Sequence, residues 1–179
     1  MGPITHTLRD GRTLLIREAA PSDAAVLLEN VEFMCRESDF TTMAPGEFSL
    51  TEEEEADLMQ KYRAADDRLF LVAMIDGALV GSLNFSAGTR VRLRHRGSFG
   101  VGVRRHEWGN GIASRLIDTM IGWARGVPTL KKINLQVRAD NERGIQLYYR
   151  KGFVLEGTIA KDHYVDGVYH DVHCMGLDL

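Results

Sequence analysis

Two apolar runs, Leu69–Met74 and Ala78–Phe85, flank the dipeptide Asp76-Gly77. Asp-Gly accepts the positive φ angles of a two-residue hairpin turn, so the spacing predicts two adjacent antiparallel strands in mid-chain. A second Asp-Gly, Asp166-Gly167, joins Phe153–Val165 to Val168–Leu179 and predicts a closing hairpin. Any fold for this chain must therefore be built on a sheet that is antiparallel at two separate places.

Helical signals alternate with these strands. Thr13–Arg17 reads as a strand, and Pro21-Ser22-Asp23 before Ala24–Val31 reads as a helix start. The stretch Cys35–Leu50 lacks a clear period and contains Pro45-Gly46, which predicts a loop. Thr51-Glu52-Glu53-Glu54 is a capping box, and the acidic run Glu52–Glu55 complements the dipole of the helix it opens. A strand is expected from about Arg92 to Val103. Apolar residues at Ile112, Leu116, Ile117, Met120, Ile121 and Ala124 then mark a helix, and Lys131–Arg138 alternates as a strand. Asn141 caps a helix carrying Ile145 and Tyr148, and Gly152 stops it. The expected class is mixed α/β, a largely antiparallel central sheet flanked by helices.

At 179 residues the chain fits one compact domain, taken as 1–179, that buries about two thirds of its unfolded surface. The net charge of -3 gives no global attraction to nucleic acid or anionic lipid, so neither is expected as a partner. No apolar stretch approaches the roughly 20 residues of a spanning helix, and no membrane association is expected. Cys35 and Cys174 have neither metal-like nor disulfide-framework spacing, and nothing resembles a secretory signal, which together predict a cytoplasmic protein. His170, His173 and Cys174 do not converge on one ion if they lie on a strand, and no metal is expected.

The segment richest in chemistry is Phe99-Gly100-Val101-Gly102-Val103, a short loop, and Trp108-Gly109-Asn110-Gly111-Ile112-Ala113-Ser114. A glycine-rich helix start exposes unpaired N–H groups at the positive end of the helix dipole, where a phosphate group binds. A dinucleotide-binding turn would need a third glycine where Ser114 stands, and a P-loop would need a lysine after Gly111. Neither is present. A tight turn without a ligand is the alternative.

Here the chain resembles the GNAT superfamily of N-acetyltransferases, whose acetyl-CoA motif reads Gln/Arg-x-x-Gly-x-Gly/Ala. Gly111 and Ala113 agree with it, and Trp108 stands where Gln or Arg is usual. The segment Asn141-Glu142-Arg143-Gly144-Ile145-Gln146-Leu147-Tyr148-Tyr149-Arg150-Lys151-Gly152-Phe153 is similar to the family's Asn-x-x-Ala-x-x-Leu-Tyr-x-x-x-Gly-Phe, with Gly144 for Ala. The resemblance covers about Thr13–Leu179. It implies that acetyl-CoA binds at Trp108, Gly109, Asn110, Gly111, Ile112, Ala113 and Ser114, and that Val101, Gly102 and Val103, at a splayed or bulged strand end, present backbone groups to the pantetheine and thioester. It further implies that Asn141 contacts the cofactor and that Tyr148 lies near the thioester sulfur. Read without the resemblance, Val101 and Val103 are core strand residues, Asn141 is an N-cap and Tyr148 is amphipathic core.

The implied activity is transfer of an acetyl group from acetyl-CoA to a primary amine by direct attack. Tyr148, with a reference pKa near 10, stays protonated at neutral pH and is the candidate general acid. Histone-modifying relatives carry a base glutamate six residues before the thioester-gripping position, which falls here on Gly97. Glu32, Glu37 and Asp39 are the candidate acceptor-side acids. A small-molecule amine such as an amino acid or polyamine is the expected substrate. A protein N-terminal or lysine acetyltransferase and a non-catalytic acyl-CoA-binding module are the alternatives, and a homodimer is compatible with each. Arg90, Arg92, Arg94 and Arg96 alternate as on one face of a hairpin, either as a solvated edge or as a surface for an anionic substrate or partner.

Overall fold

A computed structural model describes all 179 residues, Met1–Leu179. The strands are β1 (Ile4–Thr7), β2 (Thr13–Glu18), β3 (Arg68–Ile75), β4 (Ala78–Ala87), β5 (Arg96–Val103), β6 (Lys132–Arg138), β7 (Val154–Val165) and β8 (Val168–Asp178). The helices are α1 (Ala24–Glu37), α2 (Glu52–Ala64), α3 (Ile112–Arg125) and α4 (Glu142–Arg150). All eight strands form one sheet in the order β1-β2-β3-β4-β5-β6-β8-β7, antiparallel everywhere except between β5 and β6. No helix is long and apolar enough to cross a membrane.

The hairpin prediction at Asp76-Gly77 holds. Asp76 and Gly77 sit at φ 49° and 82°, and β3 and β4 pair on either side of them. The apolar positions read from α3 are all buried, in a core that includes Leu71, Leu83, Phe85, Ile133 and Leu135. Leu27 of α1 and Met59 of α2 bury against Phe70, Val72 and Leu79 in a second cluster. The capping box is present, with Thr51 Oγ1 accepting from Glu54 N at 3.2 Å and Glu54 Oε2 accepting from Thr51 N at 2.8 Å.

Three expectations need correction. A first strand, β1, precedes the predicted ones; it is short and pairs with β2 from Ile4 to Thr7. Helix α1 runs to Glu37, past the expected loop boundary, because its later residues still bury a face through Cys35. Strand β5 begins at Arg96 rather than Arg92: Leu93 N bonds Arg90 O and Arg96 N bonds Leu93 O, so the arginine-rich segment is a run of tight turns. Arg90, Arg92, Arg94 and Arg96 are all exposed, but they do not share a strand face. The acidic run opens α2 as expected, and within it Glu55 differs from its neighbours. It faces inward at 1% exposure, its Oε2 has no hydrogen-bond partner, and burial raises its pKa.

Candidate active site

Strands β5 and β6 pair only at Arg96–Lys132, Gly97–Ile133 and Ser98–Asn134, then diverge. Beyond that point β5 continues to Val103 beside β4, and β6 continues to Arg138 beside β8. The phase of the ladder follows from its two ends, where Gly88 N bonds Arg96 O at 2.9 Å and Arg104 N bonds Val80 O at 2.8 Å. Bonded positions alternate in an antiparallel pair, so even-numbered β5 residues turn their backbone groups to β4. Phe99, Val101 and Val103 turn theirs into the gap. The β4–β5 register is regular, so the strand end is splayed and not bulged.

The chain leaves β5 through a single 3-10 turn, Arg105–Glu107, and reaches α3 across two glycines in left-handed conformation, Gly109 at φ 93° and Gly111 at φ 78°. Arg115 N to Gly111 O is the first bond of the helix, so the N–H groups of Ile112, Ala113 and Ser114 have no intrahelical acceptor. A Cβ built on Gly109 or Gly111 would meet nothing within 4 Å. Free donors, a positive helix end and open space over the glycines fit a pyrophosphate group.

Trp108, which replaces the usual Gln or Arg, has a definite place. Its Nε1 donates to Val103 O at 2.7 Å, one of the gap-facing carbonyls. The Arg143 guanidinium of α4 stands 5.1 Å from the ring centroid and that of Arg105 stands 5.8 Å away. The indole thus links the end of β5 to the first turn of α4. Asn141 is the N-cap, its Oδ1 accepting from Gly144 N at 2.9 Å. A Cβ on Gly144 would lie 2.9 Å from Asn141 Nδ2, so the cap side chain lies close over the glycine.

Tyr148 packs edge-on against Phe99 and Phe153, with centroids 6.1 and 6.0 Å away, and Phe99 is one of the gap-facing β5 residues. Burial pushes its hydroxyl up to about 12. Tyr149, the next residue on the helix, is exposed.

The candidate acceptor-side acids are all engaged within the chain. Glu32 accepts from Gly46 N at 3.0 Å and from Arg36 Nε at 2.9 Å, and these bonds hold its carboxyl below the usual range. Glu37 accepts from Arg105 N at 2.6 Å and Arg104 Nε at 3.1 Å; burial pushes this carboxyl up, but the two donors outweigh it and the pKa is lowered. Asp39 meets the buried Arg138, whose Nη1 donates to the Asp39 carbonyl oxygen at 2.8 Å. Gly97 cannot carry an acid, because a Cβ there would lie 2.2 Å from Phe85 Cζ. Sequence reasoning missed Arg138 and Glu107. Both are charged residues whose burial depends on partners remote in sequence, and no local pattern marks them.

Known proteins share the family and the fold. The family model described as "Acetyltransferase (GNAT) family" matches residues 33–153. A solved acetyltransferase of the GNAT family from Streptococcus pneumoniae is 34% identical, with a TM-score of 0.91 over 93% of this chain and 99% of that one. The L-amino acid N-acetyltransferase of Escherichia coli is 36% identical over 105 residues, 59% of this chain and 65% of the relative. The spermidine N(1)-acetyltransferase of Vibrio cholerae is 28% identical over 110 residues, 61% of this chain and 62% of the relative. The chain thus spans a little under two thirds of the curated relatives it matches. A Salmonella typhimurium structure with its cofactor acetyl-CoA shares the fold, at 17% identity and a TM-score of 0.81 over 92% of this chain and 93% of that one.

Proposed function

The chain belongs to the acetyltransferase (GNAT) family, and from that premise we propose that it moves an acetyl group from acetyl-CoA to a primary amine of a small molecule, by direct attack in a ternary complex. The observation that carries the reading is convergence. The gap-facing backbone of Val101 and Val103, the free N–H groups after Gly111 and the ring of Tyr148 against Phe99 lie around one splay in the sheet.

Acetyl-CoA, when bound, supplies the activated acyl group. Residues Gly109, Asn110, Gly111, Ile112, Ala113 and Ser114 would hold its pyrophosphate, and the gap-facing backbone of Val101 and Val103, but not of Gly102, which is turned to β4, would hold the pantetheine, with Asn141 Nδ2 and the Trp108 ring beside it. Tyr148 keeps its proton through the neutral range and can give it to the sulfur as the C–S bond breaks and the N–C bond forms. The amine must arrive unprotonated. Glu32 and Glu37 are poor bases, since their partners hold both below the usual range. We assign them, with Asp39, to shaping the acceptor loop, and the amine proton to water.

A small amine is favoured over a protein by the two curated relatives, whose names give amino acids and spermidine as substrates. Both cysteines are free, which fits a cytoplasmic setting. A thiol-release assay with acetyl-CoA and a panel of amino acids, polyamines and peptides tests the proposal. Turnover on a small amine supports it; coenzyme A binding with no turnover on any acceptor makes the chain a binding module instead.

A further inference from the structure

Directly before the glycine-rich turn stands a buried carboxylate, Glu107, at 4% exposure. An anionic side chain here opposes the binding of another anion unless its charge is cancelled. The cancelling group comes from 95 residues away: Arg12, in the turn between β1 and β2, places Nη1 2.6 Å from Glu107 Oε1 and Nη2 2.8 Å from Oε2. This is a two-pronged pair, the strongest geometry a guanidinium and a carboxylate adopt. Asp10 orients Arg12 from behind, accepting from its Nε at 2.7 Å. Glu107 Oε2 also accepts from Asn110 Nδ2 at 2.8 Å, so one carboxylate ties both ends of the loop that holds Gly109. A second tie joins the same regions, Arg115 Nη2 of α3 to Thr7 O of β1 at 3.4 Å.

We infer that Arg12 is a positioning residue for the coenzyme: from the turn between β1 and β2 it neutralises Glu107 and fixes the Glu107–Asn110 loop, so that the free N–H groups after Gly111 face an incoming pyrophosphate in a field that Glu107 does not oppose. The inference rests on the cofactor reading above. It gives a function to a hairpin turn outside the segments that resemble the family motifs. Its physical core is that a buried charge stripped of its partner is worse than no charge at all.

The test is calorimetric titration of coenzyme A into wild type, Arg12→Ala and Arg12→Ala/Glu107→Gln, with thermal unfolding to confirm that each is folded. Arg12→Ala should raise Kd roughly tenfold or more, and adding Glu107→Gln should recover most of the loss, because the unpaired charge is gone. A contact that merely supports the scaffold would lower the unfolding temperature of Arg12→Ala and leave the Kd of the folded variant unchanged. If Arg12→Ala does not fold, Arg12→Gln carries the same test, since it keeps much of the length and a hydrogen-bond donor and loses the charge. Wild-type affinity in the folded Arg12 variant, or a double variant no better than the single, overturns the inference and leaves the cofactor reading intact. A wild type that does not bind coenzyme A overturns that reading and the inference with it.

Discussion

Asp39 and Arg138 join across the open end of the sheet, the guanidinium of β6 donating to the Asp39 carbonyl oxygen just past the end of α1 at 2.8 Å. Two residues earlier, Glu37 holds Arg104 and the Arg105 N–H at the end of β5. One short stretch of chain therefore straps both diverging strands.

Replacing Arg138 with methionine keeps most of the bulk and removes the grip on β6. Asp140, which binds Arg138 at 2.7 and 3.0 Å, loses that partner as well and keeps only His170 at 3.1 Å. Stability should fall by about 2 kcal/mol, as for other charged hydrogen bonds lost with one partner left behind. Coenzyme A should also bind more weakly. Urea unfolding and titration measure the two effects, and a variant as stable and as tight-binding as wild type refutes the strap.

Tyr148→Phe keeps the ring against Phe99 and Phe153 while deleting the hydroxyl. Loss of a general acid should lower kcat by roughly 100-fold with little change in coenzyme A affinity. Tyr149→Phe, altered on an exposed neighbour, should retain wild-type turnover. Because burial holds the Tyr148 hydroxyl at about 12, its ionisation should cause no fall in kcat between pH 8 and about pH 10. A tyrosine-dependent loss in that window would contradict the assignment.

Gly111→Glu places a side chain at φ 78° and a negative charge over the free N–H groups of α3. The strain should cost about 1–2 kcal/mol, and coenzyme A binding should vanish in protein that still folds. Unchanged affinity would show that the pyrophosphate does not bind at the start of α3.

Glu55 offers a test on stability alone. Burial raises its folded pKa above the ordinary 4.5, so the protonated form is the one the fold accommodates. The stabilisation is fully present below the unfolded pKa and is lost as pH rises through the folded one. Glu55→Gln, which cannot ionise, should match wild type near pH 4.5 and exceed it at pH 8. Parallel urea titrations at the two pH values decide it; a gap that is independent of pH would show that Glu55 stays charged or hydrated.

Local rules of short range were written in the residues themselves. The Asp76-Gly77 turn, the buried stripe of α3, the Thr51–Glu54 box and the Asn141 cap each depend on residues within one or two turns of each other, and each appears where the sequence places it. The glycines before α3 were legible for the same reason, since left-handed backbone and free N–H groups are local properties. What the sequence did not contain was the partner of each long-range contact. The parallel pairing of β5 with β6, the insertion of β8 between β6 and β7 and the early divergence that opens the site are choices among strand neighbours of similar pattern. The same holds for charge. Glu55, Glu107 and Arg138 look like ordinary surface residues until the tertiary structure brings up a partner or withholds one, because the cost of a buried charge is fixed by its surroundings and not by its place in the chain.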